Sequence, residues 1–176
     1  MRFVVAALVA TPISAAAAEV TTGVQVGYGR RLGEGAEGLS ILGVRGDVLF
    51  GRDGRKDFAA GLCAGFSAPD PFHEAMGDAG ISILIPALDT WPVVISAGGF
   101  VGSGAPSAGL AGRVFWGVRP HNASSFYVTT IGVFVETRAA LAGAAAVDVS
   151  AGIHLDGYAF LYPFVLLWES ILHGWP

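Results

Sequence analysis

The sequence predicts an all-β fold, an eight-stranded antiparallel up-and-down transmembrane β-barrel, and three observations carry that expectation. Apolar residues fill 53% of the 176 positions and charged residues only 14%, against roughly 25% charged in an average soluble chain. The mean hydropathy of +0.59 points the same way. No stretch is long enough for a spanning helix: the runs Phe3 to Ala10 and Tyr158 to Trp168 fall short of the ~20 residues required, and Pro163 interrupts the second. A membrane chain without helices must close its sheet, because lipid offers no partner to an open strand edge. Finally, from Val20 onward the chain is a series of short segments of period two, broken by Gly, Pro, Asp, Asn and Ser.

The first element read along the chain is an export signal over residues 1–18. Arg2 is followed by the apolar run to Ala10, Pro12 and the small residues Ala15 to Ala18, with cleavage expected after Ala18. Cys63 is the only cysteine, which excludes a disulfide framework and a cysteine metal cluster. A net charge of −4, with no basic cluster, argues against a nucleic-acid partner.

Eight strands follow, within a single barrel domain over residues 19–156. The first runs from Val20 to Arg30, with Val20, Thr22, Val24, Val26 and Tyr28 on one face and Thr21, Gly23, Gln25, Gly27 and Gly29 on the other. In the second, Leu39 to Phe50, Leu42, Val44, Val48 and Phe50 oppose Arg45 and Asp47. The third, Phe58 to Phe66, sets Phe58, Leu62 and Phe66 against Gly61, Cys63 and Gly65. The fourth is short, Ile81 to Ile85, and Pro86 ends it. The fifth, Val93 to Val101, turns Val93, Ile95 and Val101 outward and Val94, Ser96 and Phe100 inward; the sixth, Ala108 to Val118, sets Leu110, Val114, Trp116 and Val118 against Ala111, Arg113, Phe115 and Gly117. The seventh, Phe126 to Arg138, opposes Tyr127, Thr129, Ile131, Val133 and Val135 to a face ending in Glu136 and Arg138. The eighth, Ala145 to Leu155, alternates Val147, Val149, Ala151, Ile153 and Leu155 with Asp148, Ser150, Gly152 and His154.

Alternation alone does not say which face points inward, since a soluble exported β-barrel that binds a small apolar ligand shows the same period. Charge placement favours the membrane form. Arg45, Asp47, Arg113, Glu136, Arg138, Asp148 and His154 all lie opposite the main apolar stripe. Their face, otherwise built largely from Gly, Ala and Ser, suits a narrow lumen better than a packed core. An Arg facing lipid instead would cost roughly 2–4 kcal/mol at the midplane. The six permanently charged members carry compensating signs, three basic and three acidic, and read as a lumenal salt-bridge network. The aromatics Tyr28, Phe50, Phe58, Phe66, Trp91, Trp116 and Tyr127 fall at strand ends, as interfacial rings do.

With these residues in place, the segment from Glu19 to about Leu155 resembles the small eight-stranded outer-membrane barrels, the class that includes OmpX and the transmembrane domain of OmpA. The resemblance implies residence in a bacterial outer membrane, outer-membrane lipid as surroundings, and insertion by the outer-membrane assembly machinery. Ser150, Gly152 and Leu155 match the first places of the terminal assembly signal of such barrels, and Gly157 stands where its aromatic would. The remainder, residues 157–176, is a strongly apolar tail. An interfacial helix is the favoured reading of it, with Trp168 and Trp175 at headgroup depth; a plug in the barrel mouth and a further strand are the alternatives.

For function, the leading expectation is a non-enzymatic structural or envelope-organising role without cofactor or metal. A narrow ion or small-solute channel and a lipid-modifying outer-membrane enzyme are the competing classes. Ser150, His154, Glu136 and Asp148 could be imagined as a hydrolytic set, but Ser150 and His154 are four residues apart on one strand, too distant for a direct hydrogen bond. No Gly-x-Ser-x-Gly elbow is present. Asp70, His73, Glu74 and Asp78 read as a solvated loop more readily than as a cation site. Asn122, Ala123 and Ser124 read as a turn.

Overall fold

The computed structural model describes residues 18–33, 37–69, 74–104, 107–121, 128–141 and 146–157. Residues 1–17 of the expected export signal, Asn122 to Ser124, Tyr127 and the tail beyond Gly157 lie outside the described residues.

Eight strands form one closed antiparallel barrel: β1 (Glu19–Leu32), β2 (Glu37–Phe50), β3 (Ala59–Ala68), β4 (Met76–Ile85), β5 (Val93–Gly102), β6 (Ala108–Val118), β7 (Ile131–Ala140) and β8 (Val147–Asp156). Each strand pairs with its neighbours in sequence, and β8 returns to β1. Every backbone donor and acceptor in the wall can thus find a partner without a free edge. Paired residues followed round the wall from Val20, through Val48, Leu62, Ile81, Ala97, Gly112, Thr137 and Val149, lead back to β1 at Arg30. That stagger from Val20 to Arg30 tilts the strands, and closed barrels of this kind lean by roughly 35–45° with an interior that side chains just fill.

The faces are as the alternation predicts. Val44, Val114 and Val149 are exposed on the outer wall, whereas Arg45, Arg113 and Asp148 are buried inside. Two expectations need correction. The fourth strand is twice as long as the apolar alternation suggested, because Met76 to Gly80 pair along their whole length with β3 and β5. Neighbouring strands supply the order that a Gly- and Asp-rich stretch lacks by itself. The seventh strand begins at Ile131 rather than Phe126.

The inner face also holds more bulk than Gly, Ala and Ser. Leu49, Ala59, Leu84, Val94 and Phe115 form a buried apolar cluster at the end where β1 begins and β8 finishes, here termed the lower mouth. Leu39, Ile41, Met76 and Phe100 are buried towards the opposite, upper end. The ionic residues occupy the space these apolar groups leave.

Candidate functional site

The lumen carries charge in three layers. At the lower mouth Gly51, at the end of β2, adopts φ +84°, a backbone conformation that glycine takes at no steric cost. The next residue, Arg52, is buried in the mouth. Its Nη1 donates to Glu19 Oε1 at 2.9 Å, and both terminal nitrogens donate to the Arg119 carbonyl at 3.3 Å. Arg119 follows β6 and continues its inward parity from Arg113, Phe115 and Gly117. It grips Asp47 with two bonds, Nη2 to Oδ1 at 2.7 Å and Nη1 to Oδ2 at 3.2 Å, and donates Nε to Glu19 Oε2 at 3.3 Å. His121 Nδ1 lies 3.3 Å from Glu19 Oε1. Two guanidiniums therefore share one carboxylate in a nearly dry site, with Arg52 and Arg119 each only 1% exposed.

The middle layer is centred on Glu136. Its Oε1 accepts from Arg138 Nη2 at 2.6 Å and its Oε2 lies 3.7 Å from Arg113 Nη1. Arg113 also donates to Gln25, and its guanidinium lies 4.2 Å from the Phe134 ring centroid, a cation–π contact that offsets part of its lost hydration. Arg138 reaches Ser67 Oγ at 2.8 Å and Met76 Sδ at 3.1 Å. Across the lumen Arg45 pairs with Asp78 and places Nη2 3.0 Å from the Cys63 sulfur. Ser82 and Ser96 bond each other at 2.7 Å. His154 lies beside Gly23, where a Cβ would strike its imidazole, and its Nε2 is 3.1 Å from Thr130 Oγ1.

At the upper mouth Arg31 holds two carboxylates in two-pronged geometry. Asp148 accepts from Nε and Nη2 at 3.0 and 3.2 Å, and Glu74 accepts from Nη1 and Nη2 at 3.2 and 3.0 Å.

All seven lumenal residues expected from the sequence, Arg45, Asp47, Arg113, Glu136, Arg138, Asp148 and His154, face inward, but they do not meet in one cluster. Asp47 belongs to the lower layer and Asp148 to the upper one. Among the described residues, further participants that were not anticipated include Glu19, Arg31, Arg52, Glu74, Asp78, Arg119, His121 and Asp156. Asp78 and Glu74, read from sequence as loop residues, are instead engaged by Arg45 and Arg31; Asp70 and His73 lie outside the described residues. Of the imagined hydrolytic set, Asp148 is held by Arg31, Glu136 by the middle arginines and His154 by Thr130, while Ser150 lies opposite Glu136 in register.

On the outer wall, Tyr28 and Phe66 sit towards the upper end, with Phe50, Phe58, Trp91 and Trp116 towards the lower. Trp91 and Trp116 pack with ring centroids 5.3 Å apart. Tyr127, Trp168 and Trp175 lie outside the described residues.

Chemically, this lumen is suited to closure. Among the described residues, two small hollows in the lumen, each with room for about one water, are both lined by Arg45 and Arg113. Among the described residues, no three His, Cys, Asp or Glu side chains converge as a metal site would need. Comparison with family profiles, with curated proteins and with solved structures yields no match to this chain.

Proposed function

We propose that this chain is an integral protein of a bacterial outer membrane with a structural or envelope-organising role, its lumen filled by the salt-bridge network. One observation carries the reading: large apolar side chains are exposed on the outer face of all eight strands. They include Val26, Leu42, Leu62, Ile83, Ile95, Val114, Val133 and Ile153, one from each strand in turn. A contiguous apolar patch on a water-facing protein rarely exceeds a few hundred Å2, whereas this one encircles the molecule. The strands fit as well, since five of the eight contain 10 residues and a tilted spanning strand needs roughly 9–11. Arg45 and Arg113, standing between the hollows, support a wall element over a conduit.

Fractionation of the producing cells tests this directly. The protein is expected in the outer-membrane fraction and in a compact form whose gel mobility shifts on boiling; a freely soluble periplasmic product overturns the proposal. A sharper test is Val135→Arg on the outer wall, midway along β7. In lipid it is expected to destabilise the barrel by about 2–4 kcal/mol, measured as a lowered urea midpoint in vesicles, while a barrel that faces water would be nearly indifferent to it.

A further inference from the structure

We infer that the chain's own C-terminal segment, residues 158–176, docks in a groove on the outer wall across β1 to β4. The groove has a floor of small side chains set side by side in register: Thr22 against Gly46, Gly46 against Ala64, and Ala64 against Ala79. Larger apolar residues rise on either side, Val44 and Phe66 above and Val48, Leu62 and Ile81 below. The result is an open depression made of two adjoining hollows that share Thr22, Gly46 and Ala64.

Where the described chain ends identifies the occupant. Gly157, directly after β8, itself lines this groove together with Thr22, Gly46, Ala64 and Phe66. A Cβ placed on it would lie 3.1 Å from Thr22 Oγ1, so the chain is delivered to the outer wall. Side chains of Arg52 and Arg119 already occupy the lower mouth. The tail's composition is complementary to the groove: Phe160, Leu161, Phe164, Leu167 and Trp168 are bulky and apolar, and Glu169 is the only Asp, Glu, Lys or Arg in residues 158–176. Large side chains over a small-residue floor recover the dispersion contacts that the hollow lacks. Length is sufficient too. Four strands spaced about 4.8 Å apart span roughly 15 Å, and 19 residues reach about 28 Å as a helix and further if extended.

Disulfide trapping in the full-length chain, in detergent and in phosphatidylcholine vesicles, tests the inference. On a Cys63→Ser background, Ala64→Cys is combined in turn with Leu161→Cys, Phe164→Cys and Trp168→Cys, and the same tail positions are paired with Val135→Cys on the far wall as a control. Oxidation is expected to give an intramolecular crosslink for at least one Ala64 pair, at least tenfold more abundant than for any Val135 pair. Ala79→Cys replaces Ala64→Cys if the latter loses its heat-dependent mobility. Ending the chain after Gly157 is expected to raise maleimide labelling of Ala64→Cys about tenfold. Crosslinks only between chains would assign the groove to a second copy. No crosslink, with unchanged labelling on truncation, would leave it to lipid or detergent; either result overturns the inference.

Discussion

The two mouths of the barrel are closed by the same chemistry in different surroundings. At the lower mouth Arg52, Arg119, Glu19 and Asp47 have side chains 0, 1, 4 and 15% exposed; at the upper mouth Arg31, Glu74 and Asp148 are 16, 19 and 6% exposed. Both sites contain two-pronged arginine–carboxylate pairs near 3 Å. Two unit charges at that distance attract by about 5 kcal/mol at an effective dielectric near 20, but by only about 1.4 kcal/mol in bulk water. Desolvation works the other way and penalises the lower site more. The lesson is that equal geometry does not mean equal consequence: the lower site is poised to punish loss of a partner, and the upper one is cushioned by solvent.

The largest expected effect is therefore at Arg119. Arg119→Ala leaves Asp47 without its guanidinium and Glu19 with only Arg52 and His121, and removing one partner from a buried pair typically costs about 3–5 kcal/mol. The expected outcome is a marked drop in the urea midpoint for loss of the compact, heat-modifiable band. An effect no larger than that of Arg31→Ala would erase the contrast between the mouths.

Glu136 should fall between these extremes. Glu136→Gln keeps the shape but leaves Arg113 and Arg138 without their shared counter-charge, while Gln25, Ser67 and Met76 remain as acceptors. Charge-assisted hydrogen bonds are worth about 1.5–3 kcal/mol, and a loss in that range by the same unfolding assay is the expected result. If Glu136→Gln instead stabilised the barrel, the middle arginines would have to be satisfied without the carboxylate, and the three layers would be energetically independent.

How much of this arrangement is legible in the sequence depends on where the period-two signal runs. Bulky and charged residues alternate cleanly in Ala108 to Val118, and β6 has the bounds expected of it. Gly77, Asp78, Ala79 and Gly80 carry no such signal, so half of β4, including the partner of Arg45, reads as a loop. Glu19 and Arg119 extend the inward parity of β1 and β6 by one step past the expected ends, and that parity could have placed both inside. Arg52 is different in kind. It has the outward parity of Val48 and Phe50, and its inward position follows the turn at Gly51, so no alternation could have found it.

The smallest effect is expected at the upper mouth, and salt makes it diagnostic. Arg31→Ala removes contacts to buried Asp148 and to Glu74, but Arg31 and Glu74 are partly open to solvent, and solvent-screened pairs are typically worth about 1 kcal/mol or less. The Debye length falls from about 10 Å at 0.1 M to about 3 Å at 1 M salt, so the difference between wild type and Arg31→Ala should shrink across that range. The deficit of Arg119→Ala should persist, because ions do not enter a mouth filled by side chains. Unfolding midpoints of both variants at the two salt concentrations decide the matter: parallel salt responses would mean that the lower mouth is wetted from outside, and the seal formed by Arg52 and Arg119 would have to open in solution.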